Sequence, residues 1–364
     1  MKVIAMYLPQ YHRIRENDKW WGVGYTEWTA VKNAQQYSRK QSQPRVPLNK
    51  NYYDLSDESG AVWEWQAKMA QEYKVYGFAI YHYWFSKDRQ LLEKPMEILL
   101  KHPEIDIKYC ICWANESWRK AWYGTQNELL MEQYYGEKNE WISHFNYLLP
   151  FFKDVRYIKI NNKPLINIYH SAEIDCLNDM LEIWRKLAVE NGFEGIHVVS
   201  GNTGAAIDTR SWLFDAYYNF EPSYTLMHKQ KKVERFIYVV KVFVRIMWNK
   251  ITKKKILERL IDGKNFISQM MREDVFLEKK IYPGVFPQWD NSPRRKYKGT
   301  FFYNMNKDTF KKQIQNLKRK HINSEFMYVN AWNEWGEGAY LEPDETNKYT
   351  YLEVIRDEFA NDDI

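Results

Sequence analysis

Short apolar runs rich in β-branched and aromatic residues recur along this chain with helical stretches between them, and this alternation restricts the available folds more than any other feature. Eight runs are candidate strands: Val3–Tyr7, Gly77–Phe85, Ile107–Trp113, Leu165–Tyr169, Ile196–Ser200, Ala216–Phe220, Gly284–Trp289 and Phe326–Trp332. Several are apolar at consecutive positions, as strands covered on both faces are. Between them, Gly60–Tyr73, Trp141–Phe152, Ile174–Asn191 and Lys307–Lys320 read as helices. Eight alternating β and α units predict an α/β fold, the (β/α)8 TIM barrel. A doubly wound open sheet competes, but its first strand usually leads into a glycine-rich phosphate loop. Here that place holds Leu8-Pro9-Gln10-Tyr11-His12. A single barrel domain is expected over all 364 residues, since such barrels run to about 250 residues before insertions.

The interval 223–282, between the sixth and seventh candidate strands, is too long for one helix and predicts a helical insertion. Its run from Arg235 to Trp248 is apolar but broken by cations, too short and too charged to span a bilayer. Lys229–Arg259 carries eleven Lys and Arg against Glu234 and Glu258. The chain's net charge of +6 therefore belongs to one segment, which argues for a local docking surface and against a nucleic-acid partner. Two readings follow: a helical hairpin making peripheral contact with anionic lipid or a partner through residues 229–259, or a subdomain covering the barrel. The end of the chain, 360–364, reads as a frayed acidic tail.

With 27% charged residues and 15 Gly, the composition is that of an ordinary globular chain and excludes polytopic membrane and collagen-like classes. Aromatic residues make up 17%, with many of the 16 Trp and 28 Tyr at the ends of apolar runs, as in sugar-binding clefts, although large cores also use them. Three cysteines, Cys110, Cys112 and Cys176, cannot form a disulfide framework and read as buried thiols. The run Val3–Tyr7 is too short for a signal-peptide core, so a cytoplasmic protein is expected, with contact at the inner membrane face through the basic segment.

In a barrel, reacting groups sit just after each strand. The candidates there are Tyr7, Gln10, Tyr11 and His12, then Trp20, Trp21, Tyr25, Glu27 and Trp28; His82 and Tyr83; Trp113, Asn115, Glu116 and Trp118; Glu221; and Trp289, Asp290 and Asn291. The sharpest pattern follows the last strand, where Glu334 and Glu337 flank Trp335 and Gly336 in Asn330-Ala331-Trp332-Asn333-Glu334-Trp335-Gly336-Glu337-Gly338. Glycosidic cleavage needs one carboxyl group protonated and another ionised, and proximity separates their pKa values. Gly336 and Gly338 would let the backbone turn so that both acids face the cleft, and Trp332 and Trp335 would floor a pyranose ring. No His or Cys pair stands at metal-ligand spacing beside a candidate strand end, so no metal and no cofactor are expected.

These residues bring out a likeness. Through Tyr7-Leu8-Pro9-Gln10-Tyr11-His12, Glu16-Asn17-Asp18-Lys19-Trp20-Trp21-Gly22, Thr26-Glu27-Trp28, Tyr81-His82-Tyr83-Trp84-Phe85, Leu92-Glu93-Lys94-Pro95, Cys112-Trp113-Ala114-Asn115-Glu116, Pro287-Gln288-Trp289-Asp290-Asn291 and Asn333-Glu334-Trp335-Gly336-Glu337-Gly338, the chain resembles the WbsX-like proteins of bacterial polysaccharide biosynthesis. These are related to glycoside hydrolase family 99, the retaining endo-α-mannosidases and mannanases. The resemblance implies Glu337 as general acid/base and Glu334 as the base that deprotonates the sugar 2-hydroxyl, which displaces the leaving group to give an anhydrosugar. It also implies an oligosaccharide or polysaccharide substrate, with Asn333, Trp335 and the aromatic and polar candidates above as its binding residues. At Gly336 the hydrolases usually carry a larger polar residue, and this departure bears on substrate identity.

Three functions compete. The first is a retaining hydrolase or transglycosylase acting on an α-linked, mannose-type bacterial polysaccharide or its repeat unit; within it, Glu116 as acid/base with Glu334 as nucleophile is a second mechanism, requiring carboxyl groups about 5 Å apart. The second is a glycosyltransferase of O-antigen or capsular polysaccharide biosynthesis, for which Gly201-Asn202-Thr203-Gly204 offers only a weak diphosphate site. The third is a catalytically silent glycan-binding barrel.

Overall fold

The computed structural model describes residues 1–120, 128–274 and 280–360, and the acidic tail expected at 361–364 lies outside them. Its centre is a nearly closed barrel of nine short parallel strands: β1 (Lys2–Tyr7), β2 (Val75–Ser86), β3 (Lys108–Trp113), β4 (Lys163–Ile168), β5 (His197–Asn202), β6 (Ala216–Asn219), β7 (Ile281–Tyr282), β8 (Gly284–Val285) and β9 (Phe326–Val329). Their order around the barrel is β7-β6-β5-β4-β3-β2-β1-β9-β8. Thus β7 pairs with β6 (Tyr217 opposite Ile281), β8 pairs with β9 (Gly284 opposite Tyr328), and the segment bearing both nearly joins the two ends.

Eight candidate runs became nine strands because Pro283 divides the seventh position. Proline has no N–H to give a ladder, although the Pro283 carbonyl still accepts from the Tyr328 N–H at 2.8 Å. The ladder also begins earlier than Gly284–Trp289, since Ile281 and Tyr282 already pair and Pro287 stops it beyond Val285. At the last strand, pairing ends at Val329 instead of Trp332. Beyond it the chain is held singly, by Asn330 N–H to the Val285 carbonyl (2.9 Å) and Trp332 N–H to the Met6 carbonyl (2.8 Å).

The expected helices form at Ala61–Glu72, Lys138–Lys153, Leu177–Glu190 and Lys307–Lys320. Each turns an apolar stripe onto the barrel; Leu177–Glu190, for example, buries Leu177, Met180, Leu181, Trp184 and Ala188. Asn306 caps the last of the four by accepting from the Thr309 N–H at 3.0 Å. Inside the barrel the filling is aromatic. Tyr218 stacks on Tyr328 at 5.0 Å, the Tyr328 hydroxyl donates to Asn167 at 2.7 Å, and Phe78 meets Trp332 at 4.9 Å. Much of the aromatic composition is therefore core. Cys110 and Cys112 are buried on β3, whereas Cys176 is partly exposed, so the expectation of burial fails for the third thiol.

Within 223–282 the chain forms one long helix, Lys232–Thr252, then a short strand, Arg259–Asp262, paired in parallel with Thr300–Tyr303, and a helix, Gly263–Met270. A helical hairpin does not form, because residues 259–262 have an extended partner available at 300–303. Among the described residues no helix is long and apolar enough to cross a membrane.

Candidate active site

A cleft of about 550 Å³ opens where the strands end, lined in part by Tyr81 and Tyr83 of β2, Glu116 and Trp118 after β3, Tyr169 after β4, Phe220 after β6, Trp289 and Arg294 after β8, and Glu334 and Glu337 after β9. Glu334 lies on a tight hairpin in which Asn333 and Glu334 pair antiparallel with Tyr340 and Ala339. The turn between, Trp335–Glu337, closes through Gly338 at φ 59°, a left-handed conformation that glycine enters without a Cβ penalty. Gly336 serves differently. A Cβ there would fall 1.7 Å from Glu27 Oε1 and 2.7 Å from Arg294 Nε, so the bare backbone makes room for those two side chains.

One guanidinium gathers three acids. Arg294 Nε meets Glu27 Oε1 at 2.7 Å, Nη2 meets Glu334 Oε2 at 2.7 Å, and Nη1 meets Glu337 Oε1 at 3.0 Å. Glu27 is fully buried, Glu334 is nearly so, and Glu337 is partly exposed toward the cleft. Burial raises the carboxyl pKa of both Glu334 and Glu337, Arg294 opposes the rise in both, and Arg295 opposes it at Glu337 alone. Burial outweighs the guanidinium at Glu334, whose carboxyl is pushed up to about 8, so the Glu334–Glu337 pair retains a proton at neutral pH. Across the cleft, Glu116, whose side chain is half exposed, is pushed upward by partial burial and by the charges of Glu173 and Glu337.

Other candidates support the site from behind. Asn333 accepts from the Leu8 N–H at 2.7 Å and donates to the Leu8 carbonyl at 3.0 Å, tying the hairpin to β1. Tyr11 donates its hydroxyl to the Asn333 carbonyl and accepts from the Trp335 N–H at 3.3 Å. Trp28 donates to the Tyr53 carbonyl at 2.8 Å and packs on Trp335. Asn115 receives the His170 N–H and donates to its carbonyl, both at 2.8 Å, fixing the loop that carries Glu116. Asp290 accepts from Gln41 and Gln43, and Glu221 accepts from Thr225 at 2.6 Å.

The expected sugar floor of Trp332 and Trp335 is not formed. Both indoles are buried and donate to Glu342, at 3.1 and 2.6 Å, because a buried N–H needs a partner more than a ring needs the cleft. Tyr7, His12, His82 and Trp113 also miss the cleft: Tyr7 donates to Gln66, His12 bonds the Pro9 carbonyl, His82 meets His144, and Trp113 donates to the Trp84 carbonyl. Tyr83 and Trp289 do line it. Among the described residues, no three His, Cys, Asp or Glu side chains converge as a metal ion would require.

The sequence matches the Glycosyltransferase WbsX family over residues 3–355. The chain belongs to the WbsX family. Two WxcX proteins of Xanthomonas campestris, from strains ATCC 33913 and B100, are 29% and 30% identical to it over 359 residues; this WbsX-family chain spans about half their length, 97% of itself against 49% of each. Its fold is also that of the GH99 endo-α-mannosidase from Bacteroides thetaiotaomicron, with a TM-score of 0.59, 11% identity and coverage of 98% and 96% of the two chains. A protein described as glycoside hydrolase-like gives 0.60 at 12% identity, with 98% and 93% covered.

Two residues of this WbsX protein escaped the sequence reading. Arg294 lies in Ser292-Pro293-Arg294-Arg295, directly after the Trp289-Asp290-Asn291 motif, and a cation at that strand end opposite two acids was the available signal. Glu342, directly after Ala339-Tyr340-Leu341, carries no sequence mark of the partners it faces. It accepts from Gln66 (2.7 Å), Tyr53 (3.0 Å), Trp332 and Trp335, yet burial pushes its pKa up to about 7. A carboxyl raised on folding keeps a proton that the unfolded chain has already released, so stability falls as pH climbs from the ordinary carboxylate range through about 7. For Glu342 the loss is on the order of 3 kcal/mol. Thermal unfolding at about pH 5 and about pH 8 should show Glu342→Gln losing less stability over that interval than wild type. An unchanged slope would mean that Glu342 does not titrate there.

Proposed function

We propose that this protein processes α-linked saccharides of a bacterial polysaccharide or its repeat unit, by a retaining reaction at the Glu334–Glu337 pair. The observation carrying this reading is the convergence of both acids on one guanidinium at the C-terminal mouth of a barrel, beside an aromatic-lined cleft large enough for sugar rings. The fold shared with an endo-α-mannosidase supports the substrate class, and the WbsX family name supports a place in polysaccharide assembly.

In this reading Glu334 takes the proton of the sugar 2-hydroxyl, O2 attacks C1, and the C1–O bond to the leaving group breaks as Glu337 delivers its proton. Glu337 then takes a proton from an acceptor hydroxyl that attacks C1; the C1–O2 bond opens and Glu334 returns the proton to O2. Two displacements at C1 give retention. The proton held by the acid pair must lie on Glu337 when substrate is bound; the 2.7 Å contact of Arg294 with Glu334 favours that arrangement, whereas burial, which pushes Glu334 up to about 8 in the free protein, and Arg295 beside Glu337 oppose it. Water as acceptor makes this a hydrolase, and a sugar hydroxyl makes it a transglycosylase or glycosyltransferase.

Incubation with α-mannosyl and related α-linked oligosaccharides, with and without acceptor sugars, and NMR of the first-formed anomer test this reading. Retained products are expected; inverted products, or no turnover of any α-linked glycan, would overturn it. A second reading assigns the acid/base role to Glu116, because it lines the same cleft with a raised pKa. Glu116→Gln is expected to keep turnover within about tenfold of wild type, below the usual span for losing a general acid. Loss of turnover in Glu116→Gln but not Glu337→Gln would transfer the role.

A further inference from the structure

The helix Lys232–Thr252 departs from the pattern of the barrel helices. It has the same amphipathic period but buries none of its residues. Val233, Phe236, Ile237, Val240, Phe243, Val244, Met247, Trp248 and Ile251 follow one another at three- and four-residue steps and are all exposed, Phe236 by 69%, Phe243 by 61%, Trp248 by 50% and Ile251 by 76%. The opposite face holds the helix to the protein. Glu234 forms a two-pronged pair with Arg272 at 2.5 and 2.6 Å, Tyr238 packs against the core, and Asn249 exchanges hydrogen bonds with the backbone of Ile256. The apolar stripe is thus turned outward by contacts that fix the other side.

Charge identifies what covers it. By helical spacing Lys232 and Lys250 border one edge of the stripe and Lys241 the other, and Lys253, Lys254 and Lys255 follow the helix end, where with Lys250 they line a groove of about 520 Å³. Of the nearby acids in sequence, Glu234 pairs with Arg272, and Glu258, largely buried, is one acid among the lysines that line the groove. Lys229, counted with the basic segment in the sequence, is not part of this surface, being buried against Asp274 at 2.8 Å. A second copy of the chain would set lysines against lysines. An anionic bilayer satisfies both features, with aromatic and aliphatic side chains entering the acyl boundary and lysines meeting phosphates. The helix starts six residues after Leu226, which lines the catalytic-type cleft, so the docked surface lies close to it in the chain.

We propose that the outward face of Lys232–Thr252 docks this protein on an anionic lipid surface, lying in the interface without crossing it. This stands apart from the glycosidic reading and survives or fails independently. The test is flotation of the whole protein with vesicles of phosphatidylcholine alone or mixed with phosphatidylglycerol, at low and high salt. Wild type is expected to bind the phosphatidylglycerol vesicles at least about tenfold better than phosphatidylcholine alone, and to be released by salt. Phe243→Ser with Trp248→Ser should abolish the binding seen at low salt, and Lys241→Glu with Lys250→Glu should abolish the lipid preference. All four side chains are exposed, so circular dichroism should match wild type. No binding by wild type, or equal binding by the variants, would overturn the proposal. So would a wild-type dimer in solution that the Ser pair makes monomeric, which would give the face to a second copy.

Discussion

Glu337→Gln and Glu334→Gln should each cut turnover by on the order of 10²- to 10⁴-fold while leaving the protein at least as stable as wild type above about pH 7. The two halves of this expectation share one cause. Arg294 bonds Glu27, Glu334 and Glu337 at once, and burial raises the pKa of the latter two. In the free protein this crowding is unfavourable: as pH rises through the raised values, the unfolded chain releases protons that the folded chain still holds, and stability drops. Replacing either carboxyl with an amide removes that loss. It also removes a proton acceptor or donor that the reaction needs. Turnover of α-linked oligosaccharide and thermal unfolding, measured on the same samples, check both. If either variant unfolds in proportion to its lost activity, that carboxylate holds structure and the proposed role fails.

What the sequence disclosed depended on whether the signal was local. The helix Lys307–Lys320 has its bounds written in its own period and in its Asn306 cap. β1 was equally legible, because a strand buried on both faces reads as an unbroken apolar run. The break at Pro283 was visible as a residue type, but its consequence depended on which strand lay on each side. The aromatic candidates divided because a ring beside a polar residue at a strand end carries no mark of direction. Tyr83 faces the cleft, while His82, one residue earlier on the same strand, faces outward to His144 on the helix Lys138–Lys153. Arg294 could not be tied to Glu27 from the sequence, since 267 positions separate them and only closure of the barrel brings them together.

Gly336→Ala should be strongly disruptive, costing about 3 kcal/mol or more and most of the turnover. Backbone strain is not the reason, since Gly336, unlike Gly338, does not have a positive φ. The reason is space: the new Cβ would stand 1.7 Å from Glu27 Oε1, and Glu27, fully buried at the start of the helix Glu27–Lys32, has little room in which to withdraw. Moving Glu27 breaks its 2.7 Å contact with Arg294, and a released guanidinium no longer fixes Glu334 and Glu337. The space beside residue 336 is therefore occupied by an internal salt bridge, which makes this glycine part of how the acid pair is held. A double-mutant cycle separates this from simple crowding. Glu27→Ala should be destabilising alone, because Arg294 loses a partner, but should restore part of the stability lost in Gly336→Ala by vacating the contested volume. Additive losses in the double variant, or a Gly336→Ala protein that unfolds and turns over like wild type, would show that the Glu27–Arg294 contact does not position the acids.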